Sequence, residues 1–267
     1  MKPLATAAKI CFFGRMATIA VYSLKGGVGK TSLAVNLAWC AALQSSRRTL
    51  LWDLDAQAAS TYLVGGDDIA KDAAQAVFAK DLSPAKLIRS SAIERLDVLG
   101  ADTSLRSLDR FFFSLDKKKR LAKLIEELEK SYDRIILDCP PGLTETSDQV
   151  LRAADVVVVP VIPSPLSRRA LDEVIAHLDR EHGGHGAILP VFSMVDRRRL
   201  LHRDAIEAEP SWPAIPMASA VEQMALRRAP LGSFAAQSPA GQAVSTLWQG
   251  IERKLVKAIK TKVPPRR

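Results

Sequence analysis

Cysteine is scarce in this chain: three residues in 267, Cys11, Cys40 and Cys139, set far apart. That spacing excludes a disulfide framework and any C-x-x-C cluster or zinc site, and it fits a reducing compartment. Long apolar runs are missing too. Nothing approaches the roughly 20 residues that a membrane-crossing helix needs. The apolar N-terminal stretch is broken by Lys9 and Arg15 and runs straight into a strand-like segment, so a cleavable leader is not expected. The absence of low-complexity tracts and internal repeats excludes solenoids, propellers and long disordered linkers. Acidic charge is in short supply: 38 Lys and Arg stand against 29 Asp and Glu, a net charge of +9. Residues 1–150 carry 21 basic against 18 acidic groups, and residues 151–267 carry 17 against 11. An excess weighted to the second part favours a polyanionic partner, nucleic acid or an acidic membrane surface, and it also serves solubility.

What is present reads as a globular α/β protein, 48% hydrophobic and 25% charged. Apolar runs without alternation recur at 18–23 (TIAVYS), 49–55 (TLLWDLD), 96–101 (LDVLGA), 134–139 (RIILDC), 156–162 (VVVVPVI) and 188–195 (ILPVFSMV). Such runs suit parallel strands buried on both faces. Segments with helical spacing alternate with most of them, for example at 30–43 and 116–132. Repeated strand, crossover, strand units predict an open, doubly wound, mostly parallel sheet with helices on both faces, and ligands beyond the C-terminal strand ends. One domain is expected over residues 16–260. Residues 1–15 form either a disordered extension or sequence ahead of a native start at Met16, and 261–267 form a basic tail.

The stretch Tyr22 to Ser32, YSLKGGVGKTS, follows the first buried run and opens a helical one. Gly26, Gly27 and Gly29 let consecutive N–H groups, with that of Val28, turn inward towards phosphate, and the helix adds its positive end. Lys30 then reaches the β- and γ-phosphates of a nucleoside triphosphate. Thr31 places a hydroxyl on Mg²⁺, and Ser32 lies near the α-phosphate. One feature is unusual: Leu24 stands where the standard loop has its first glycine, and a second lysine, Lys25, follows it.

The run K-G-G-V-G-K-T, Lys25 to Thr31, resembles the deviant phosphate loop of the ParA/MinD class of partition and positioning ATPases, over roughly Ala17 to Leu255. The resemblance implies a P-loop ATPase that binds ATP and Mg²⁺ and forms an ATP-dependent homodimer. Lys25 would act in trans on the partner's ATP, adding positive charge much as an arginine finger does. D-L-D-A-Q, Asp53 to Gln57, is similar to the family's D-x-D-P-Q, with Ala56 for proline and Ala58-Ala59 for the common Gly-Asn. By resemblance Asp53 supports the magnesium shell and Asp55 positions the attacking water. R-I-I-L-D-C-P-P-G, Arg134 to Gly142, is a Walker B pattern whose Asp138 holds Mg²⁺ through water, with Pro140-Pro141-Gly142 stiffening the loop that senses the γ-phosphate. Cys139 reads as a small buried residue. Residues 191–196 and 214–218 fall where the family builds its adenine pocket.

Basic residues cluster at Arg197, Arg198, Arg199 and Arg203, at Arg227 and Arg228, and along the final helix at Arg253, Lys254, Lys257 and Lys260. Sets of this kind bind phosphate backbones without base specificity, and they also occur as plain solvated faces. The run Lys117 to Arg120 is read as solvated. No aromatic interleaves the clusters in sequence, so a stacking platform for single strands is not expected. The ParA branch implies nonspecific double-stranded DNA, a ParB-like or cargo-linked activating protein, and a cytoplasmic, nucleoid-associated location. Fifteen residues ahead of the first strand leave no room for a helix-turn-helix domain, so operator-specific repression is not expected. The MinD branch implies instead a membrane-bound C-terminal helix. Leu247, Ile251, Leu255 and Ile259 repeat every four residues beside Trp248. The same stripe suits packing on the protein's own core.

Overall fold

The computed structural model describes residues 16–65, 74–79, 82–115, 119–181 and 186–262. The extension before Met16 and the tail beyond Lys262 lie outside them. The described residues form eight strands: β1 (Ala17–Val21), β2 (Thr49–Asp53), β3 (Ile88–Ser90), β4 (Leu96–Leu99), β5 (Arg134–Asp138), β6 (Val156–Val161), β7 (Ala187–Val195) and β8 (Ala214–Pro216). They form one sheet in the order β3-β4-β2-β5-β1-β6-β7-β8, parallel throughout except for β3 against β4. Every apolar run named above supplies a parallel strand. The three-residue strands β3 and β8 were not foreseen, because segments so short leave no periodic signal.

The helices are α1 (Lys30–Trp39), α2 (Ala59–Val64), α3 (Ala74–Ala79), α4 (Pro84–Leu87), α5 (Leu108–Leu115), α6 (Arg120–Leu128), α7 (Glu145–Ala153), α8 (Pro165–Glu181), α9 (Leu200–Ala208), α10 (Ser219–Arg227), α11 (Leu231–Phe234) and α12 (Pro239–Lys262). The helix expected over 30–43 does not stay α-helical. It widens into a π-helical turn at Cys40–Gln44, where Ser45 N donates to Cys40 O at 3.2 Å.

Alternation along the strands divides the core into two layers. Ile19, Val21, Leu51 and Ile136 face α1 and α12, whereas Ala20, Leu50, Trp52, Ile135 and Leu137 face the layer that holds α3 and α5 to α8. In that second layer Trp52 stacks on Phe78 at 5.8 Å, and Phe78 meets Phe112 edge-on at 5.4 Å. One expectation fails here. Arg120 is 6% exposed, and its guanidinium donates to the carbonyls of Val77 and Phe78 at 2.8 and 3.0 Å. It caps the C-terminal end of α3, so a residue read as solvated instead satisfies orphan carbonyls. Lys117 and Lys118 lie outside the described residues.

Candidate nucleotide site

β1, β5 and β2 are neighbours, and their register brings Val21 level with Asp138 and Asp138 level with Asp53. The phosphate loop and two of the three predicted carboxylates thus meet at one edge of the sheet, and Asp55 follows two residues beyond Asp53. In the loop, Gly27 and Gly29 take φ of +70° and +87°, a region that costs a residue with a Cβ about 1–2 kcal/mol. Gly26 needs glycine for neither reason, having an ordinary φ and no atom within 4 Å of where a Cβ would lie.

The two lysines are placed differently. Lys30 is 7% exposed, and its Nζ donates to the Lys25 carbonyl at 3.0 Å. Burial lowers its pKa, against the pull of the Asp138 and Asp55 charges. Lys25 is half-buried, with Nζ 3.5 Å from Ser167 Oγ on α8. The side chain of Tyr22, buried at the end of β1, donates to the Gly142 carbonyl at 3.0 Å, tying the start of the loop to the Pro-Pro-Gly turn, where Gly142 takes φ +94°. Sequence reasoning missed this tie.

Asp53 and Asp138 are both buried but differ in satisfaction. Asp53 Oδ2 accepts from Thr61 N at 2.9 Å and from Thr61 Oγ1 at 2.7 Å, and its Oδ1 accepts from Asp55 N at 3.0 Å. It anchors the segment that carries Asp55. Asp138 has neither oxygen hydrogen-bonded among the described residues, although the Thr31 and Ser60 hydroxyls approach it. Burial first, then the Asp53 charge, pushes its pKa well above the usual carboxylate range. A buried carboxylate without donors calls for a bound proton, water or cation. Among the described residues no group of three or more His, Cys, Asp or Glu could cage a metal. Magnesium needs no such cage, being held by one or two carboxylates with phosphate and water. Cys139 is fully buried, and its thiol pKa is raised by that burial.

Asp55 is partly exposed, and its Oδ1 accepts from Gln57 N at 2.9 Å. The turn closes through Ala58 N to Asp55 O at 2.8 Å, and Ala58 takes φ +53°. This is the position where glycine is common in the resembling motif. We expect Ala58→Gly to raise stability by about 0.5–1 kcal/mol, the relief of a left-handed alanine less the extra chain entropy of glycine. A urea midpoint measures it, and a lower midpoint would mean the turn is not strained.

Next to the loop opens a cleft of about 660 Å³, counting its mouth. It starts at Gly29 and Ser32 and is walled by Met194, Ile215, Pro216 and Met217, so the residues expected to hold the base do line an apolar slot beside the phosphate loop. Met194 takes φ +52° where the pairing of β7 with β8 slips register. Asn36 on α1 braces the rear, donating to Ser32 O at 2.7 Å and accepting from Leu231 N at 2.8 Å.

The basic clusters lie on β7–α9, at the end of α10, and on α12. Arg197, Arg198, Arg199, Arg203, Arg227, Arg228, Arg253 and Lys254 are exposed; the side chains of Lys257 and Lys260 lie outside the described residues. Several are engaged within the chain. Arg198 grips Asp196 with two bonds of 2.9 Å, Arg227 lies 4.8 Å over Phe234, and Arg228 lies 5.0 Å over Tyr62. Folding therefore brings aromatics from α2 and α11 beside clusters that have none in sequence. The stripe of α12 turns inward: Leu247, Trp248, Ile251 and Leu255 are 1–7% exposed, and Trp248 Nε1 donates to Ser45 Oγ at 2.8 Å. The Ile259 side chain lies outside the described residues. Among the described residues no helix is long and apolar enough to cross a membrane.

Known proteins are similar to this chain. The family model described as an AAA domain matches residues 16–182. The chain is 32% identical over 200 residues to the sporulation initiation inhibitor protein Soj of Bacillus subtilis, covering 71% of this chain and 77% of Soj. It is 36% identical over 147 residues to the chromosome partitioning protein ParA of Myxococcus xanthus, covering 54% of this chain and 51% of that protein. In fold it is similar to the septum site-determining protein MinD of Pyrococcus horikoshii complexed with Mg-ADP, with a TM-score of 0.73 and 22% identity over 93% of this chain and 100% of the other.

Proposed function

The chain belongs to the ParA/MinD family of P-loop ATPases, and from that membership we propose a magnesium-dependent ATPase that dimerises around ATP and binds double-stranded DNA without sequence preference. A ParB-like or cargo-linked protein stimulates hydrolysis and releases the dimer, and the cycle segregates or positions a cargo. The observation that carries the reading is the register match of Asp53 with Asp138 beside the phosphate loop, with Asp138 left without a donor among the described residues. The names of the Soj and ParA relatives support the partitioning side.

The residues divide the work. Loop N–H groups from Gly26 to Ser32 and the Lys30 ammonium hold the phosphates. Thr31 and Asp138 would hold magnesium, which supplies positive charge to the phosphoryl oxygens. Asp53 fixes Asp55 through its backbone N–H, and Asp55 orients the attacking water. Tyr22 couples the loop to the Pro-Pro-Gly turn, which senses the terminal phosphate. Arg197, Arg199, Arg203 and Lys254, with the stacked Arg227 and Arg228, offer the cationic surface for a phosphate backbone. Such a dimer would reside in the cytoplasm on the nucleoid. The membrane alternative lacks support from the described part of the α12 stripe, Leu247, Trp248, Ile251 and Leu255, which is buried in the protein's own core.

The test is binding to nonspecific duplex DNA with ATP, ADP or no nucleotide, at two salt concentrations, with acidic liposomes in parallel. ATP-dependent binding that weakens steeply with salt is expected. Liposome binding without DNA binding would overturn the DNA reading.

A further inference from the structure

Ser60 stands beside the paired carboxylates with a hydroxyl whose position no hydrogen bond among the described residues explains. It is the second residue of α2, fully buried, and its Oγ has no partner among the described residues. It lies beside both Asp53 and Asp138, close enough to temper the pKa of each. Among the described residues Asp53 already has three donors, whereas Asp138 has none. A buried hydroxyl and a buried carboxylate left unpaired next to each other are costly, and such groups in a native fold call for a bound water or ion to explain them. A serine hydroxyl both donates and accepts, so it can accept from a water bound to a cation while donating to a carboxylate. Thr61, its neighbour, does nothing comparable: it is committed to Asp53 and to Ala101 N at 2.9 Å.

We propose that Ser60 is a positioning residue of the magnesium site, its Oγ holding the ion's hydration water together with Asp138. This rests on the magnesium and nucleotide reading above. No local sequence pattern marks the residue, because its role arises from the pairing of β2 with β5.

The test compares wild type with Ser60→Ala in two measurements: ADP affinity in EDTA and across a magnesium series, and urea unfolding of the nucleotide-free chain. In Ser60→Ala the affinity in EDTA is expected to stay the same. The magnesium concentration for half-maximal tightening should rise about 10-fold, the size of effect seen when groups that orient metal ligands are removed. The urea midpoint should hold or rise, since an unpartnered buried hydroxyl has been removed. A magnesium half-point within about 2-fold of wild type would overturn the inference alone, whatever the urea result. If wild type itself showed no magnesium effect, the magnesium reading would fall and the inference with it.

Discussion

Glu252→Ala should unfold at far lower urea than wild type, a loss of about 3–5 kcal/mol. Glu252 on α12 accepts from Arg134 through Nε at 2.9 Å and Nη2 at 2.8 Å, and from Arg47 Nε at 2.9 Å. The Arg134 side chain is 0% exposed and that of Glu252 is 13% exposed. Removing the carboxylate leaves a guanidinium buried in the first residue of β5 with its fork unpaired, and water has little access to repair it. The asymmetry matters: the intact pair adds little net stability over an apolar substitute of the same shape, but half of the pair is expensive. Whole domains of this kind are stable by about 5–15 kcal/mol, so the loss is a large share of the total. The same contact fixes α12 to the start of the central strand, and α12 packs behind α1, which carries Lys30 and Thr31. A measured loss below about 1 kcal/mol would show that Arg134 is solvated after all.

The phosphate loop and both sheet-edge carboxylates were legible in the sequence because their signals are local. Gly27 and Gly29 are required by the left-handed backbone, and Asp53 and Asp138 each lie at the end of an apolar run that suits a buried strand. The register that aligns those two residues is not local, but it follows from parallel strands with ligands at their C-terminal ends. Other features depend on partners that only the fold supplies. Arg120 looked like one more charge in a basic run until α3 offered two carbonyls. Arg134 and Glu252 are separated by 118 residues, and neither has a flanking pattern that names the other. The apolar stripe of α12 suited a membrane or a core equally well by periodicity, and the burial of Trp248 and Ile251 decides in favour of the core. Ser60 and Tyr62 follow a recognised motif closely, yet what stands beside them comes from Asp138 on β5 and from Arg228 just after α10.

Lys25→Ala should still bind ATP as a single chain but form no ATP-dependent dimer, with turnover reduced on the order of 10³-fold or more, the scale at which a charge supplied in trans acts in phosphoryl transfer. The argument begins with the division between the two lysines. Lys30 is buried in the loop, with its ammonium on the Lys25 carbonyl. In the proposed reaction a residue so placed would serve its own chain's phosphates, and Lys30→Ala should lose ATP binding itself. Among the described residues the Lys25 ammonium makes a single hydrogen bond, to Ser167 Oγ at 3.5 Å, at the outer limit of such a bond. Giving up that contact costs the chain little, so the side chain is available to a second copy while the loop backbone stays fixed. Exposed Leu143, after the Pro-Pro-Gly turn, and Leu166, beside Ser167, offer apolar surface for the same approach. Mass measurement with ATP, ADP and no nucleotide, together with phosphate release, separates the outcomes. An alanine at position 25 that left both the ATP-dependent dimer and turnover unchanged would assign the lysine to its Ser167 contact and remove it from the reaction.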